Sequence, residues 1–585
     1  MNSKYVLLNN RPLDKGSRQK PSLLLDRDDR GEMARCQSEA PLGQSRFSLL
    51  SSKGLVVWLN LIMWLGMAQP TNGQTPTLYI DFDTTTEMDQ ERGISKEEAV
   101  YAVDLLQPKY TRGLKGRALD LSADASLRMP MKVDSTLALN YGKNASFSIQ
   151  VWIRTKPNAA MRTPVMGNKK AEALADQGWQ IYTRENGAWA LNFSDGKTRF
   201  DYKPTAQRQR INDGEWHQLL FTLDREKEEV WMYLDGKNVA IYNIAGLAGM
   251  NNAFSTVIGG SDEKWEYGSA GQWNAFNGYL DEVKMWDRPI SPEQVATLYR
   301  SFQSLKEEPA SFDEGQIRVL AWNIWHGGHR YGQQVGLQRV IEIIKSSNAD
   351  IVGLIETYGS GEIIADSLGY YFYLISSNLS IMSRFPILET VKAFRPFNFG
   401  GAKLDLGGDQ ELLFLDTWLH YLPDYLKEAR AGKMSAEELI AAEGETRHSE
   451  IKQILSEMAP LLEEASTRPV IMSGDFNSGS HLDWTPATKE VHAGHVVEWP
   501  VSKAMTEAGF KDSYRELHIN PLLDLGLTWT PRAATSSDKY GLRDRIDYIY
   551  YLGDQLRPIE SKVLDYHPIM FPSDHAGVLT VFKWH

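Results

Sequence analysis

Between Thr77 and Ser301 the chain alternates apolar and polar residues in short segments broken by Gly, Asn and Asp. Phe147, Ile149, Val151 and Ile153 stand at every second position, as do Val230, Met232 and Leu234. A period of two puts each set on one face of a strand, and repeated turns between such segments predict an antiparallel sandwich. Asp235-Gly236-Lys237 between two apolar runs predicts a hairpin, because Asp-Gly accepts the positive φ of the favoured turn. Ser291-Pro292-Glu293-Gln294 then predicts a helix start with proline in the first turn, the helix running through Leu298 and Tyr299.

The texture changes at Gln316. Apolar strands alternate with helical periods: IRVLAWNIW (317–325), a helix near 334–347, DIVGLIET (350–357), LSIMSRFPI (379–387), ELLFLDTWLHYLP (411–423), a helix near 446–465 and PVIMSGDFN (469–477). In the later helix Ile451, Ile454, Leu455, Met458 and Leu461 mark one face at 3.6-residue spacing. Strands alternating with helices, with polar residues at strand ends, predict a layered α/β domain with its site along the sheet's edge. Residues 302–315, FQSLKEEPASFDEG, are polar and read as a linker.

Residues 55–65, LVVWLNLIMWL, form an apolar run after Lys53 that closes on Gly66-Met67-Ala68. A charge, a short apolar stretch and a small-x-small site predict a secretory signal, and the run is short of the roughly 20 residues of a spanning helix. The expected organisation is an N-terminal extension and signal over 1–68, a β-sandwich over 77–301, the linker, and an α/β domain over 316–585. Secretion or a periplasmic or cell-surface location follows, with no stable membrane span. Cys36 is the single cysteine and precedes the run, so the exported chain is expected to rely on its cores rather than on disulfides.

Charge narrows the function. The chain is 585 residues long with 63 basic and 75 acidic side chains, a net −12. Without residues 1–68 the balance is 53 basic against 69 acidic. A protein whose affinity rests on many phosphate contacts carries a basic face, and none is visible. That argues against a tight or processive DNA binder. It does not argue against an enzyme in which a metal ion supplies the local positive charge.

Phosphoester hydrolysis needs a cation on the phosphoryl oxygens, a positioned water and a donor for the leaving oxygen. Hard divalent ions such as Mg²⁺ or Mn²⁺ take oxygen ligands. The second half offers such groups after apolar runs: Asn323, Glu356, Asp475 with Asn477, Asp547, and the pair Asp574–His575. His326 and His329, beside Gly327-Gly328, read as rim residues, and Arg447 as a solvated side chain.

Two resemblances add to this reading. FSIQVWIRT (147–155), DGEWHQLLFTLD (213–224), VWMYLDGKNV (230–239), IGG (258–260) and GYLDEVKMWDRPISPEQVATLY (278–299) resemble the laminin-G-like, or concanavalin-like, jelly-roll family. That implies a sandwich that binds a glycan or a protein, with Ca²⁺ at Asp81, Asp83 and Asp281 as one option. The plainer reading is that the first two cap a strand and the third holds a turn.

WNIWHGG (322–328), VGLIETYG (352–359), IMSRFPI (381–387), LHYLP (419–423), SGDFNSG (473–479), LTWTP (527–531), RIDYIYY (545–551) and SDHAGV (573–578) resemble, in order, the motifs of the endonuclease/exonuclease/phosphatase superfamily. The fold implied is multidomain: an all-β jelly-roll sandwich followed by a deoxyribonuclease-like α/β four-layer sandwich. The activity implied is metal-dependent phosphoester hydrolysis, most directly of phosphodiesters, with a phosphomonoesterase, a sphingomyelinase-like lipase or a binding protein with an inactive second domain as alternatives. The substrate, whether nucleic acid, phospholipid or phosphorylated sugar, stays open.

By that resemblance Glu356 is the main metal ligand, with Asn323 and Asp574 at or near the ion. Asp475 orients or deprotonates the water, Asn477 holds it or the phosphoryl oxygens, and His575 bonds the scissile phosphate while Asp547 fixes its tautomer and raises its basicity; whether Asp475 or His575 is the general base stays open. Relatives carry Thr-His-Leu where this chain has Thr417-Trp418-Leu419, so His420, placed on the same strand face by alternation, is the expected leaving-group donor or phosphate ligand. The insert at 421–445 follows that strand. It is expected to border the cleft, with Ser435 and Glu438 as a capping box.

Overall fold

The computed structural model describes residues 75–83, 109–122, 131–133, 141–157, 159, 162–170, 174–261, 276–305, 315–530 and 543–585. The apolar run at 55–68, Cys36 and most of the proposed linker lie outside the described residues. Among the described residues, no helix is long and apolar enough to cross a membrane.

The first half is a two-sheet jelly-roll sandwich. One sheet runs Tyr110–Arg112, Arg117–Asp120, Gly278–Trp286, Phe147–Thr155, Trp216–Asp224, Glu229–Leu234, Lys237–Asn243, with Leu78–Ile80 beside Gly278–Trp286. The other contains Met131–Val133, Thr256–Ile258, Pro164–Gly167, Gly178–Thr183, Trp189–Ser194 and Arg199–Tyr202. Phe147, Ile149, Val151 and Ile153 all face the core between the sheets, as their alternation requires. The Asp235-Gly236 hairpin forms with φ of 52° and 76° at its two central residues, and Leu234 pairs with Lys237. The helix Pro292–Arg300 starts at Ser291 with a full capping box to Gln294.

The second half is a four-layer α/β sandwich. Helices Gln333–Ser347 and Gly361–Leu368 cover a sheet built from Gln316–Asn323, Ile351–Ile355, Tyr371–Leu374, Leu379–Ser383, Leu556–Leu564 and Gly577–Trp584. A second sheet, made of Ile387–Val391, Phe399–Gly407, Gln410–Trp418, Val470–Asp475, Asp547–Leu552 and Lys511–Asp512, packs on it. Helices Arg447–Leu462 and Pro500–Glu507 cover the far side. The strand period divides the cores: Leu320, Trp322 and Ile324 pack under the first helices, while Ile317, Val319 and Ala321 meet Phe414, Ile471 and Ile549 between the sheets. Ile451, Ile454 and Met458 bury the predicted helical face against Leu413, Leu415 and Met472.

The two halves share a sheet. Lys237–Asn243 pairs in parallel with Tyr371–Leu374, with Ile241 opposite Tyr373 and Tyr242 opposite Leu374. The Asn243 side chain donates to the Ile375 carbonyl at 3.0 Å. Arg208 reaches the Tyr370 carbonyl at 2.7 Å, and the Thr205 hydroxyl bonds Asp366. The junction covers the 371–374 strand, which would otherwise be an exposed edge of the α/β sheet.

In the jelly roll the acidic residues hold turns. Asp281 Oδ2 accepts from Leu114 N at 2.8 Å and Oδ1 from Glu282 N at 2.8 Å, while Asp83 Oδ1 accepts from Arg117 N at 2.6 Å and Asp81 Oδ1 from Asp83 N at 3.0 Å. These bonds fit the turn-holding and strand-capping roles that the plainer reading of the three aspartates expects.

The two α/β sheets approach closely at Gly353, where a Cβ would stand 2.6 Å from both Asp416 Oδ1 and Ser473 Oγ. Those two buried groups bond each other at 2.9 Å. Gly353→Val is expected to cost about 1–3 kcal/mol through overpacking, read as a thermal midpoint several degrees lower; an unchanged midpoint would contradict this packing.

Candidate active site

The sense of each strand brings the polar residues together. The 316–323 and 351–355 strands run parallel, so Asn323 and Glu356 emerge at the same edge. The 410–418 and 470–475 strands are also parallel, with Trp418 opposite Asp475. Asp547 begins the strand antiparallel to 470–475 and stands directly opposite Asp475. Gly577–Trp584 runs antiparallel to Gln316–Asn323, which returns Asp574 and His575 to the side of Asn323.

Hydrogen bonds then fix the side chains. Asn323 Nδ2 donates to Glu356 Oε1 at 3.3 Å and to Asp475 Oδ2 at 3.2 Å. His575 Nδ1 lies 2.9 Å from Asp547 Oδ2, and its Nε2 is 3.9 Å from Asp475 Oδ2. Trp322 Nε1 holds the His575 carbonyl at 2.8 Å, and Ser573 Oγ holds the Asn323 carbonyl at 2.7 Å. Asn477 donates its backbone N–H to Asp475 Oδ1 at 3.0 Å and its Nδ2 to the Leu419 carbonyl at 2.9 Å. Seven of the eight expected residues thus form one cluster: six through hydrogen bonds and ion pairs, and Asp574 through its chain neighbour His575 and its electrostatic repulsion with Glu356.

His420 stands apart. The strand ends at Trp418, so alternation along it does not reach position 420 and the expected strand-face argument fails. Its ring is exposed, and Nδ1 lies 3.0 Å from the Leu422 carbonyl. Among the described residues, no hydrogen bond links it to Asp475, Asp547 or His575. It belongs to a half-exposed aromatic rim: Phe397 and Trp418 meet edge to face at 5.7 Å, and Tyr421 lies 6.0 Å from Trp418. His326 and Tyr358 stack at 5.5 Å, a second ring pair beside the cluster.

Burial and charge decide protonation. Burial lowers the basicity of His575, but Asp547 and then Asp475 outweigh it and carry the imidazole up to about 10. Burial raises Asp475, with His575 acting against it and Asp547 adding to it. Burial also raises Asp574, and the neighbouring Glu356 charge adds to that. The imidazole is therefore a proton donor at neutral pH, held between two carboxylates.

A divalent cation fits this donor set. Asp574 Oδ1 and Asp547 Oδ1 are buried and accept no hydrogen bond among the described residues. Glu356 and Asp574 repel each other, and an ion between them would relieve both. Ligand atoms of Asp475, Asp547 and His575 also lie within 4.8 Å of one another. That trio is better explained as an ion-paired imidazolium, whose protonated nitrogens offer no lone pair to a metal.

Several supporting residues carried no signal beyond turn composition. Asn378, in the Ser-Ser-Asn turn before the 379–383 strand, accepts from Glu356 N at 3.2 Å, and Glu356 holds a φ of 58°. Thr528 Oγ1 accepts from the backbone N–H of Ile546 and Asp547 at 3.0 and 3.1 Å. His326 does more than line a rim: its N–H donates to Glu356 Oε2 at 2.8 Å, whereas the His329 ring bonds Ser360. Arg447, expected to be solvated, is buried and donates to the Tyr421 and Pro423 carbonyls at 2.5 and 2.7 Å.

The insert forms two helices, Tyr425–Arg430 and Ala436–Gly444, the second with the expected Ser435–Glu438 capping box. Its Leu439 packs with Trp484 and Trp499, and buried Glu443 accepts from Ser478 Oγ at 2.6 Å. It supports the loop that carries Asn477 through this packing and the Glu443–Ser478 bond.

Comparison with known proteins agrees with both halves. Residues 320–575 match the Endonuclease/Exonuclease/phosphatase family. Residues 131–296 match the family described as the Concanavalin A-like lectin/glucanases superfamily. The first match supports a hydrolase of phosphoester bonds. Over 251 residues the chain is 29% identical to Uncharacterized protein F14F9.5 of Caenorhabditis elegans, covering 40% of this chain and 79% of that one. It is 24% identical over 162 residues to the Non-toxic nonhemagglutinin type D of Clostridium botulinum D phage, covering 28% of this chain and 12% of that protein. Truncated Caenorhabditis elegans TDP2 is 16% identical, with a TM-score of 0.33 over 46% of this chain and 98% of that one.

Because the His575 proton is held more tightly in the folded chain, its stabilising contribution is complete below pH 6.5 and is lost as pH rises through about 10. Asp475, whose pKa is also raised by folding, shifts stability in the same direction above pH 3.8. Metal-free protein is expected to show a falling thermal midpoint from pH 6.5 to 10, with a shallower fall in Asp547→Asn. Equal slopes for the two proteins would refute the charge assignment.

Proposed function

We propose that the chain is an exported, divalent-metal-dependent phosphodiesterase whose sandwich docks a glycan or a protein. The observation that carries the catalytic part is the convergence of Glu356, Asn323 and Asp475 with the His575–Asp547 pair at 2.9 Å.

Glu356 and Asp574 would hold the ion, with Asn323 oriented beside them. Mg²⁺ or Mn²⁺ bound there would neutralise charge on the phosphoryl oxygens. Asp475 accepts the proton of the attacking water. His575, already protonated between its carboxylates, donates a hydrogen bond to the scissile phosphate and steadies the added charge. Asp547 orients the ring, and Asn477 contacts a phosphoryl oxygen or the water. His420, on the rim beside Trp418, is the donor to the leaving oxygen. The aromatic rim offers flat faces to a planar group attached to the ester.

A lipid diester is the second reading. It is favoured by Ile569 and Tyr566, which are 78% and 75% exposed in the segment leading to Asp574. Such exposed apolar side chains suit an interface. Turnover of sphingomyelin vesicles in preference to a soluble diester would favour it.

The full chain is expected to hydrolyse bis(p-nitrophenyl) phosphate with Mg²⁺ or Mn²⁺ and to stop with EDTA. Asp475→Asn is expected to lose roughly 10²–10⁴-fold in kcat. Full activity in that variant would remove Asp475 from the proposed chemistry. His420→Ala is expected to slow an alkyl ester far more than the p-nitrophenyl ester, whose leaving group needs little protonation. Equal losses on both would take His420 out of the donor role.

A further inference from the structure

We infer that the sandwich is a working part of the metal site, with Asn243 as a positioning residue that sets Glu356 through the 375–378 turn; this rests on the metal-binding reading of Glu356.

The chain of contacts is short and mostly buried. Glu356 follows the 351–355 strand with a φ of 58°, a conformation that a non-glycine residue holds only when its surroundings impose it. The restraint comes from the turn between the 371–374 and 379–383 strands. Asn378 Oδ1 accepts from Glu356 N at 3.2 Å, the Asn378 carbonyl from Thr357 N at 3.1 Å, and the Ser377 carbonyl from Tyr358 N at 2.8 Å. Three consecutive N–H groups of the ligand loop therefore hang on two residues of one turn.

That turn is held from two sides. Asn378 Nδ2 donates to the Phe397 carbonyl at 2.9 Å. From the sandwich, Asn243 Nδ2 donates to the Ile375 carbonyl at 3.0 Å, where the 237–243 strand pairs with 371–374. Asn243 is itself 5% exposed, and its Oδ1 is fixed by Ala245 N at 3.0 Å. Its amide is thus committed to the turn. Without it the Ile375 carbonyl would be left in a dry interface, and the turn would shift to find a donor. Any such shift moves Asn378 and, with it, the Glu356 carboxylate.

The test uses the full chain and Mn²⁺ binding to metal-free protein, followed by calorimetry and by the signal of free Mn²⁺. Asn243→Asp keeps size and the Ala245 contact but replaces the donor with an acceptor. It is expected to weaken Mn²⁺ about 10-fold, within the range of residues that orient metal ligands. Asn378→Ala is expected to weaken it at least as much, and Asn243→Ala replaces the Asp variant should that protein not fold. Thr205→Val removes a different bond across the same junction, to Asp366, and is expected to leave Mn²⁺ affinity within 2-fold of the parent. Parent-like Mn²⁺ binding in the Asn243 variants overturns the inference, as does equal weakening by Thr205→Val. Glu356→Gln separates the two levels: if it binds Mn²⁺ like the parent, the metal reading fails and the inference falls with it.

Discussion

The imidazolium of His575 between Asp547 and Asp475 is the interaction on which the catalytic half turns. Two carboxylates within reach of one ring, all buried, would be costly to gather if the ring were neutral. Protonated, the ring attracts both. The arrangement survives because it is held by backbone as well as by charge: Asp475 and Asp547 are register partners, and Trp322 and Thr528 fix the segments on either side. Close by, Arg545 pairs with Asp483 and Asp512 at 2.9 and 2.8 Å, and Arg515 also pairs with Asp483, so a second, charge-balanced group anchors the start of the Asp547 strand.

Around this core the proposed site divides into a proton-handling side and a cation side, joined by Asn323. Its single amide contacts Glu356 and Asp475 together, which ties the position of the proposed metal ligand to that of the proposed water-activating group. The aromatic rim and the insert stand outside this division. Apart from His420 they contribute shape rather than charge, in keeping with the chain's acidic balance and with the absence of a basic strip in its sequence.

The sandwich changes its meaning once the shared sheet is considered. A module on a linker would be free to act as a separate binding domain. Parallel pairing of 237–243 with 371–374 instead makes it the continuation of the catalytic sheet, and it closes an edge that would otherwise be open to association. Any binding at the sandwich and chemistry at the proposed metal site would then share one paired sheet.

Much of this was legible in the chain. Period-two runs, the Asp-Gly turn, the helix start at Ser291, the Ser435–Glu438 capping box and the 3.6-residue face of the 447–462 helix are local features, governed by neighbours a few residues away. The polar strand ends in their order named seven cluster members for a related reason: a strand delivers its last residue to the sheet edge, whatever surrounds it. Tertiary structure alone decided the rest. His420 leaves the strand because pairing ends at Trp418, and Arg447 is buried because the insert folds over it. Asn378 and Asn243 matter only through partners 22 and 132 residues away. A sequence pattern records which face a side chain points from, but which carbonyl lies opposite is set by how the layers pack.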